Sequence, residues 1–219
     1  MNDGIILIDK PAGMTSFGVV ARVKRVLSEQ AGKKVKVGHT GTLDPFATGL
    51  MIIVVGKECK NAGTYSKLDK VYEATIRLGQ TSSTGDPEGE ITDVSGYIPS
   101  RAAIDQALAQ FRGEITQRPP IYSAIKVNGQ RAYKLARRGE EVIIPTRQIT
   151  IFSLELVDYK YPELMIRAHV SSGTYIRTLA EDIGSELGVG AYCTQLRRMS
   201  IGERSIEKAQ TLADLGLID

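Results

Sequence analysis

Cysteine and histidine are scarce in this chain. There are two of each: Cys59 and Cys193, His39 and His169. The cysteines lie far apart and outside any ligand motif, so they read as reduced thiols of a cytosolic protein. So few sulfur and imidazole donors exclude a zinc deaminase or another Cys/His metal site. Long apolar runs are also missing. The run Leu50 to Val55 is far too short to span a bilayer. The N-terminus, Met-Asn-Asp-Gly, lacks the basic start and apolar stretch of a signal peptide. No glycine-rich loop has phosphate-loop or dinucleotide spacing; Gly38-His39-Thr40-Gly41 is not followed by Lys-Ser/Thr. No Gly-x-Ser-x-Gly elbow occurs. What remains is acid, base and hydrogen-bond chemistry, with no metal or organic cofactor indicated.

What is present has ordinary proportions. A chain of 219 residues, 42% hydrophobic and 24% charged, suits one globular domain spanning 1–219. The net charge of +3 is small, but it is unevenly placed. The segment Arg118 to Arg147 holds seven basic residues against Glu140 and Glu141, more positive charge than the whole chain carries. Thr84 to Asp93 is acidic. A basic region on a near-neutral body suits a polyanion-binding face, although a solvated helix face has the same composition.

Periodicity predicts a buried strand at Gly4–Ile8, then a helix capped by Thr15 or Ser16 with Val20, Val23 and Leu27 on one face. Gly38 to Thr48 reads as a loop before a buried strand, Leu50 to Val55. Val71 to Leu78 alternates, with Tyr72, Ala74, Ile76 and Leu78 on one side. Ser100 caps a helix. Lys126 to Gly129 enters a hairpin turn. Strands follow at Gln148–Leu156 and Leu164–Ser171, a helix from about Thr174, a strand at Cys193–Arg198 and a short helix capped by Thr211. Without strict βαβ alternation, this predicts α+β with a mixed, largely antiparallel sheet.

Four segments carry candidate chemistry. In Gly38 to Gly49, Asp44 precedes Pro45, which biases its backbone away from the helical region. A carboxylate on such a loop can act as nucleophile or base. The loop shape alone favours a turn-forming Asp instead. Arg177, two residues after the Ser172-Gly173-Thr174-Tyr175 string, falls in the first turn of a helix, where the dipole disfavours a cation. A nearby anion would explain it, and so would a side chain bending to solvent. Tyr72, on the apolar side of its strand, can stack on a base or move a proton, or simply pack in the core. Between Arg118 and Gly139, basic residues interleave with Tyr122 and Tyr133, and Lys134 and Arg138 share a helix face at i, i+4. That mixture suits phosphate contacts with stacking, and equally an amphipathic helix.

Taken in order, these segments resemble the TruB family of pseudouridine synthases. The matching strings are Asp9-Lys10-Pro11-Ala12-Gly13-Met14-Thr15-Ser16, the Gly38 to Gly49 loop, Tyr72 with Leu78-Gly79, Arg118 to Gly139, Gly173 to Ala180, and Leu196-Arg197-Arg198. Gly-His-Thr-Gly-Thr-Leu-Asp-Pro is the most specific of them. The resemblance implies the pseudouridine-synthase fold and isomerisation of the T-loop uridine, position 55 of tRNA. It implies Asp44 as the essential carboxylate, Arg177 as its partner, and Tyr72 as the residue that stacks on uracil and takes the C5 proton. Tyr175 and Leu196 would line the uracil pocket. His39 would hold the T loop with its bases turned out. Lys10 and Pro11 would support the loop. Residues 123–147 would form an RNA-clasping insertion, with Lys126, Arg131, Lys134, Arg137 and Arg138 as its cations. A monomer is expected, without the C-terminal PUA-type module that many members carry. Two other readings stay open: an RNA-binding module that helps tRNA fold, and a synthase subunit guided by a separate RNA.

Overall fold

The computed structural model describes residues 3–217 apart from 124, 128, 137 and 141. The chain falls into two compact units. The first is residues 1–72 with 197–219, the second residues 73–196.

The first unit begins with β1 (Gly4–Lys10), followed by α1 (Ser16–Ala31). Thr15 is the N-cap of α1: its hydroxyl accepts from the Gly18 N–H at 2.9 Å, leaving Ser16 available for another role. Gly32, in the left-handed region at φ 62°, ends the helix. β2 (Val37–His39) and β3 (Thr48–Val55) follow. β3 is apolar and buried from Gly49 to Val55, as a strand covered on both faces must be. A 3-10 turn and the short helix α2 (Ala62–Ser66) lead to β4 (Lys70–Leu78). Residues Tyr72, Ala74, Ile76 and Leu78 of β4 are buried, on the side that the alternation predicts.

The second unit continues with the hairpin β5 (Gln80–Ser82) and β6 (Ile91–Asp93), helix α3 (Arg101–Gln110) capped by Ser100, and β7 (Gly113–Gln117). Then come the hairpin β8 (Lys126–Val127) and β9 (Gln130–Arg131) and the helix α4 (Ala132–Ala136). The strands β10 (Arg147–Lys160) and β11 (Glu163–Val170) form a long antiparallel pair. Helix α5 (Ile176–Glu186) buries Ile176, Leu179 and Ile183. β12 (Ala191–Ile201) returns the chain to the first unit, which closes with β13 (Arg204–Ser205) and β14 (Gln210–Thr211).

Strand order in the first unit is β14-β1-β3-β12. β1 runs antiparallel to β3 through seven aligned pairs, from Gly4↔Val55 to Lys10↔Gly49. The other edge of β3 takes β2 antiparallel at Ile53–Val55 and β12 parallel at Thr48–Gly49. Leu50, Ile52, Val54 and Ile201 form a buried cluster there, with Ile5, Leu7, Tyr65 and Leu68 packed against it. Each of the four fully buried side chains stabilises the fold by roughly 1.5–3 kcal/mol relative to exposure. In the second unit the order is β12-β4-β11-β10-β7. The chain is α+β with a mixed sheet, as its sequence predicts.

Two local predictions fail. Among the described residues, no helix follows Thr211. Instead Thr211 and Asp214 cap each other, at 2.8 and 3.1 Å, and Gly216 at φ 65° ends the segment after one turn. Lys134 and Arg138 do not share a helix. α4 stops at Ala136, and Arg138 lies in the turn that Gly139 closes at φ 74°, with the Gly139 and Glu140 N–H groups bonded back to Ala136 and Leu135.

Candidate active site

Asp44 sits in the loop between β2 and β3, half-exposed and flanked by buried Leu43 and Ala47. Four attachments hold this loop, all to groups of the first unit. The Ser16 hydroxyl donates to the Leu43 carbonyl at 2.9 Å and accepts from the Leu43 N–H at 2.8 Å. The ammonium of Lys10, fully buried, donates to the carbonyls of Pro11, Met14 and Pro45 at 2.7, 2.6 and 3.2 Å. The Gly13 N–H also donates to the Pro45 carbonyl, at 2.8 Å. The guanidinium of Arg198, 1% exposed, donates from Nε to the Leu50 carbonyl at 2.7 Å and from Nη2 to the Gly41 carbonyl at 3.1 Å. The residues on either side of Asp44 are thus fixed by side chains that are themselves buried. Within the segment, the Ala47 N–H donates to the Asp44 carbonyl and closes a turn.

The close packing is written into one glycine. Gly49 has φ 105°, and a Cβ there would lie 2.4 Å from the Arg198 carbonyl oxygen. Only glycine lets β3 and β12 approach here. Burial pushes the Lys10 ammonium down to about 8, with the Asp44 carboxylate raising it and Arg198 lowering it further. Asp44 therefore sits within electrostatic reach of a buried cation. The neighbouring Arg197 makes a two-pronged pair with Asp9, Nη1 to Oδ1 at 3.1 Å and Nη2 to Oδ2 at 2.6 Å, joining the first and last matching strings. His39 lies half-buried on β2, opposite Ile53. Pro11 is exposed and contributes its carbonyl to Lys10. Tyr72 ends the first stretch of this unit and is 8% exposed.

Arg177, Tyr175 and Leu196 belong to the second unit. Arg177 is in the first turn of α5 and 3% exposed. The anion that this position calls for is supplied in part by Asp86: Nη1 donates to Oδ2 at 3.0 Å. Nη1 also donates to the Thr84 carbonyl and Nη2 to the Tyr122 carbonyl, each at 2.8 Å. Asp86, 5% exposed, is itself anchored: its Oδ1 accepts from the Thr84 hydroxyl at 2.6 Å and the Glu88 N–H at 3.0 Å. Glu181, one turn along α5, completes this charged group. Burial raises its carboxyl to about 7, against the lowering effect of Arg177, with Asp182 and Asp86 adding repulsion. Tyr175 is the N-cap residue of α5, with the Arg147 guanidinium 4.9 Å from its ring centroid. Leu196 is 8% exposed on β12.

Of the expected clasp cations, Lys126 and Arg131 are exposed and face each other across the β8–β9 ladder. Like charges directly opposite are destabilising unless an anion joins them. Lys134 is exposed on α4. Arg138 bonds Gln130 at 2.6 Å and Glu140 at 2.9 Å. Arg137 lies outside the described residues. The segment has its own small core of Ala132, Leu135, Val142 and Ile144, with Ile125 and Val127 against it. Among the described residues, no group of three or more His, Cys, Asp or Glu side chains is arranged to hold a metal ion. No described helix is long and apolar enough to cross a membrane.

Residues 24–176 match the N-terminal domain of the TruB family pseudouridylate synthases. The chain belongs to the TruB family. Residues 177–217 match the C-terminal domain described for tRNA pseudouridylate synthase B. Tertiary likeness agrees: the chain superposes over 97% of its length on a protein of a Cbf5-Nop10-Gar1 complex, with TM-score 0.73, 32% identity and 53% of that chain covered. A second neighbour, from an H/ACA ribonucleoprotein bound to a substrate RNA, gives TM-score 0.70 at 29% identity over 97% of this chain and 52% of that one. Among sequences, tRNA pseudouridine synthase B of Burkholderia lata is 46% identical over 99% of the chain, and that of Cupriavidus taiwanensis 46% over 97%. The chain spans 66% and 67% of those two relatives' own lengths.

From sequence alone, Ser16, Asp86 and Arg198 have no part in the chemistry. Ser16 is only a possible helix cap, and Arg198 only part of a matching string. Asp86 lies in the acidic stretch, whose signal was charge alone.

Proposed function

We propose that this chain is a tRNA pseudouridine synthase that isomerises the T-loop uridine, with Asp44 as its catalytic carboxylate. The observation that carries the reading is the immobilised Asp44 loop: a half-exposed carboxylate whose neighbours are pinned by Ser16, Lys10 and Arg198. Catalysis needs a reacting group held in position before the substrate arrives.

A uridine inside a folded RNA must leave its stack before its C1′, C5 and C6 can be reached, at a cost of about a few kcal/mol. Stacking on aromatic side chains and phosphate contacts offset that cost. Asp44 then acts at the glycosidic centre, and the N1–C1′ bond breaks. The uracil turns in its pocket and the C5–C1′ bond forms. A proton leaves C5 and N1 gains one, so the product is an isomer of the substrate. In this reading Arg177 is the partner that orients the Asp44 carboxylate, and Asp86 holds the Arg177 guanidinium. Tyr72 stacks on the base and takes the C5 proton. Tyr175 and Leu196 line the pocket, and His39 holds the opened T loop. Lys126, Arg131, Lys134, Arg137 and Arg138 contact phosphates. The chain works as a single catalytic domain, a monomer in the cytoplasm, using its own acid, base and hydrogen-bonding groups.

The test is release of tritium from T-arm RNA carrying C5-tritiated uridine. The wild-type chain releases it and Asp44→Asn does not; equal release from both would remove Asp44 from this role. The basic clasp favours a second activity, assistance to tRNA folding. That reading stands if Asp44→Asn still improves tRNA refolding and falls if the variant neither binds nor refolds tRNA. Turnover of free T-arm RNA by the chain alone separates it from a synthase that needs a guide RNA.

A further inference from the structure

The strands β7 and β10 are paired so that Gln117 lies opposite Arg147. Gln117 is 1% exposed, and its side-chain amide grips Tyr175 twice. The Tyr175 N–H donates to Oε1 at 2.8 Å, and Nε2 donates to the Tyr175 carbonyl at 3.1 Å. The opposite residue, Arg147, sets its guanidinium 4.9 Å from the centroid of the same tyrosine's ring. Gly173 lies against this guanidinium too: a Cβ there would be 3.2 Å from Cζ and Nη1 and 3.3 Å from Nη2. The tyrosine, the glycine and the two cross-strand partners therefore make one assembly.

That assembly leaves part of the arginine unsatisfied. Nε and Nη2 of Arg147 are shielded from solvent, and neither has a hydrogen-bond partner among the described residues. Together they form one complete edge of the guanidinium fork, the edge that takes two oxygens of a phosphate or carboxylate at once. The ring stack satisfies the flat face of the cation, not its in-plane N–H donors. Burying charged donors without partners costs more than such a stack returns. A residue in this state calls for an anion that the described residues do not supply. The basic segment that ends at Arg147 marks the anion as a polyanion.

We infer that Arg147 is a further RNA-binding residue, which takes a phosphate of the nucleotide reaching Tyr175. The inference rests on the synthase reading for the identity of the RNA. Arg147 is half-buried and Gly173 beside it is exposed, so turning the distal torsions of the side chain brings the Nε–Nη2 edge to an anion arriving there. Gln117 meanwhile keeps the Tyr175 backbone in place.

The experiment measures binding of T-arm RNA to the full chain across a salt series, for wild type, Arg147→Gln and Arg147→Lys. Thermal melts record folding, and pseudouridine formation by wild type is mapped in the same samples. Arg147→Gln is expected to weaken binding about tenfold. It should also flatten the slope of log Kd against log salt by about 0.7 to 0.9, the loss of one phosphate contact. Arg147→Lys keeps the charge but loses the fork, so it should weaken binding while leaving the slope intact. Unchanged Kd in a folded Arg147→Gln protein would overturn the inference. So would weaker binding with an unchanged slope, which would make Arg147 only a packing partner of Tyr175. If Arg147→Gln does not fold, Arg147→Lys decides: wild-type affinity from it would overturn the inference. Absence of pseudouridine with wild type would instead sink the synthase reading, while the binding data still judge Arg147.

Discussion

The Asp44 loop and the segment 118–147 are held in opposite ways. The loop buries Leu43 and Ala47, and Ser16, Lys10 and Arg198 tie it to buried positions. The basic segment has a private core of four small and medium side chains, a ladder of two aligned pairs and a five-residue helix. Tyr122 and Ile121 at its start are exposed. Under the proposed function, the difference is a division of labour. A reacting carboxylate has to be placed within a fraction of an ångström, and buried hydrogen bonds do that. A surface that receives RNA has to adapt, and few buried contacts permit local opening.

The sharpest way to break this comparison is to remove the proposed reacting group and leave its frame. Asp44→Asn is expected to lower pseudouridine formation by at least about 10³-fold while T-arm affinity stays near wild type. A parallel loss of affinity would mean that the loop also carries binding. The next largest effect falls on Arg177. Asp86→Ala strips a buried guanidinium of a carboxylate partner, and urea unfolding should show a loss of about 3–5 kcal/mol. Ser16→Ala removes both hydrogen bonds to Leu43, at a cost of about 1–3 kcal/mol. If the loop is the precision element, kcat falls about tenfold and KM does not move. The basic segment should respond the other way: Lys134→Glu with Arg138→Glu raises KM more than it lowers kcat, and the salt dependence of binding becomes shallower. Steady-state kinetics at two salt concentrations separates the two patterns.

The smallest effect is a pH dependence. The Glu181 carboxyl is raised from 4.5 to about 7, chiefly by burial. The fold then binds this proton more tightly than the unfolded chain does. Its stabilising contribution is complete below about 4.5 and is lost as pH rises through about 7. Glu181→Gln should remove that slope, so urea midpoints of wild type and variant diverge between about pH 5 and 8.

How much could be read from the chain before its structure depended on distance along it. Alternation at Tyr72, Ala74, Ile76 and Leu78 disclosed β4, and the cap at Ser100 disclosed α3, because both signals are local. β7 escaped notice: Gly-Glu-Ile-Thr-Gln holds one large apolar residue, and it is a strand because it pairs with β10. The Thr211 capping pattern was visible, but Gly216 cut the turn short. At the site, the Asp44 loop announced itself by its turn residues. Its supports did not, since Ser16 meets Leu43 across 27 positions and Arg177 meets Asp86 across 91. Such partners are chosen by topology, which no short motif encodes.

One of those separations has a consequence in time. Arg198 reaches Gly41 across 157 positions, so this anchor of the loop can form only after β12 has been made. While a ribosome is still extending the chain, the segment around Asp44 already exists but lacks its final brace. The brace comes only when β12 has emerged and settled alongside β3. Until β12 is made and paired, the loop around Asp44 is held by fewer anchors than in the folded chain.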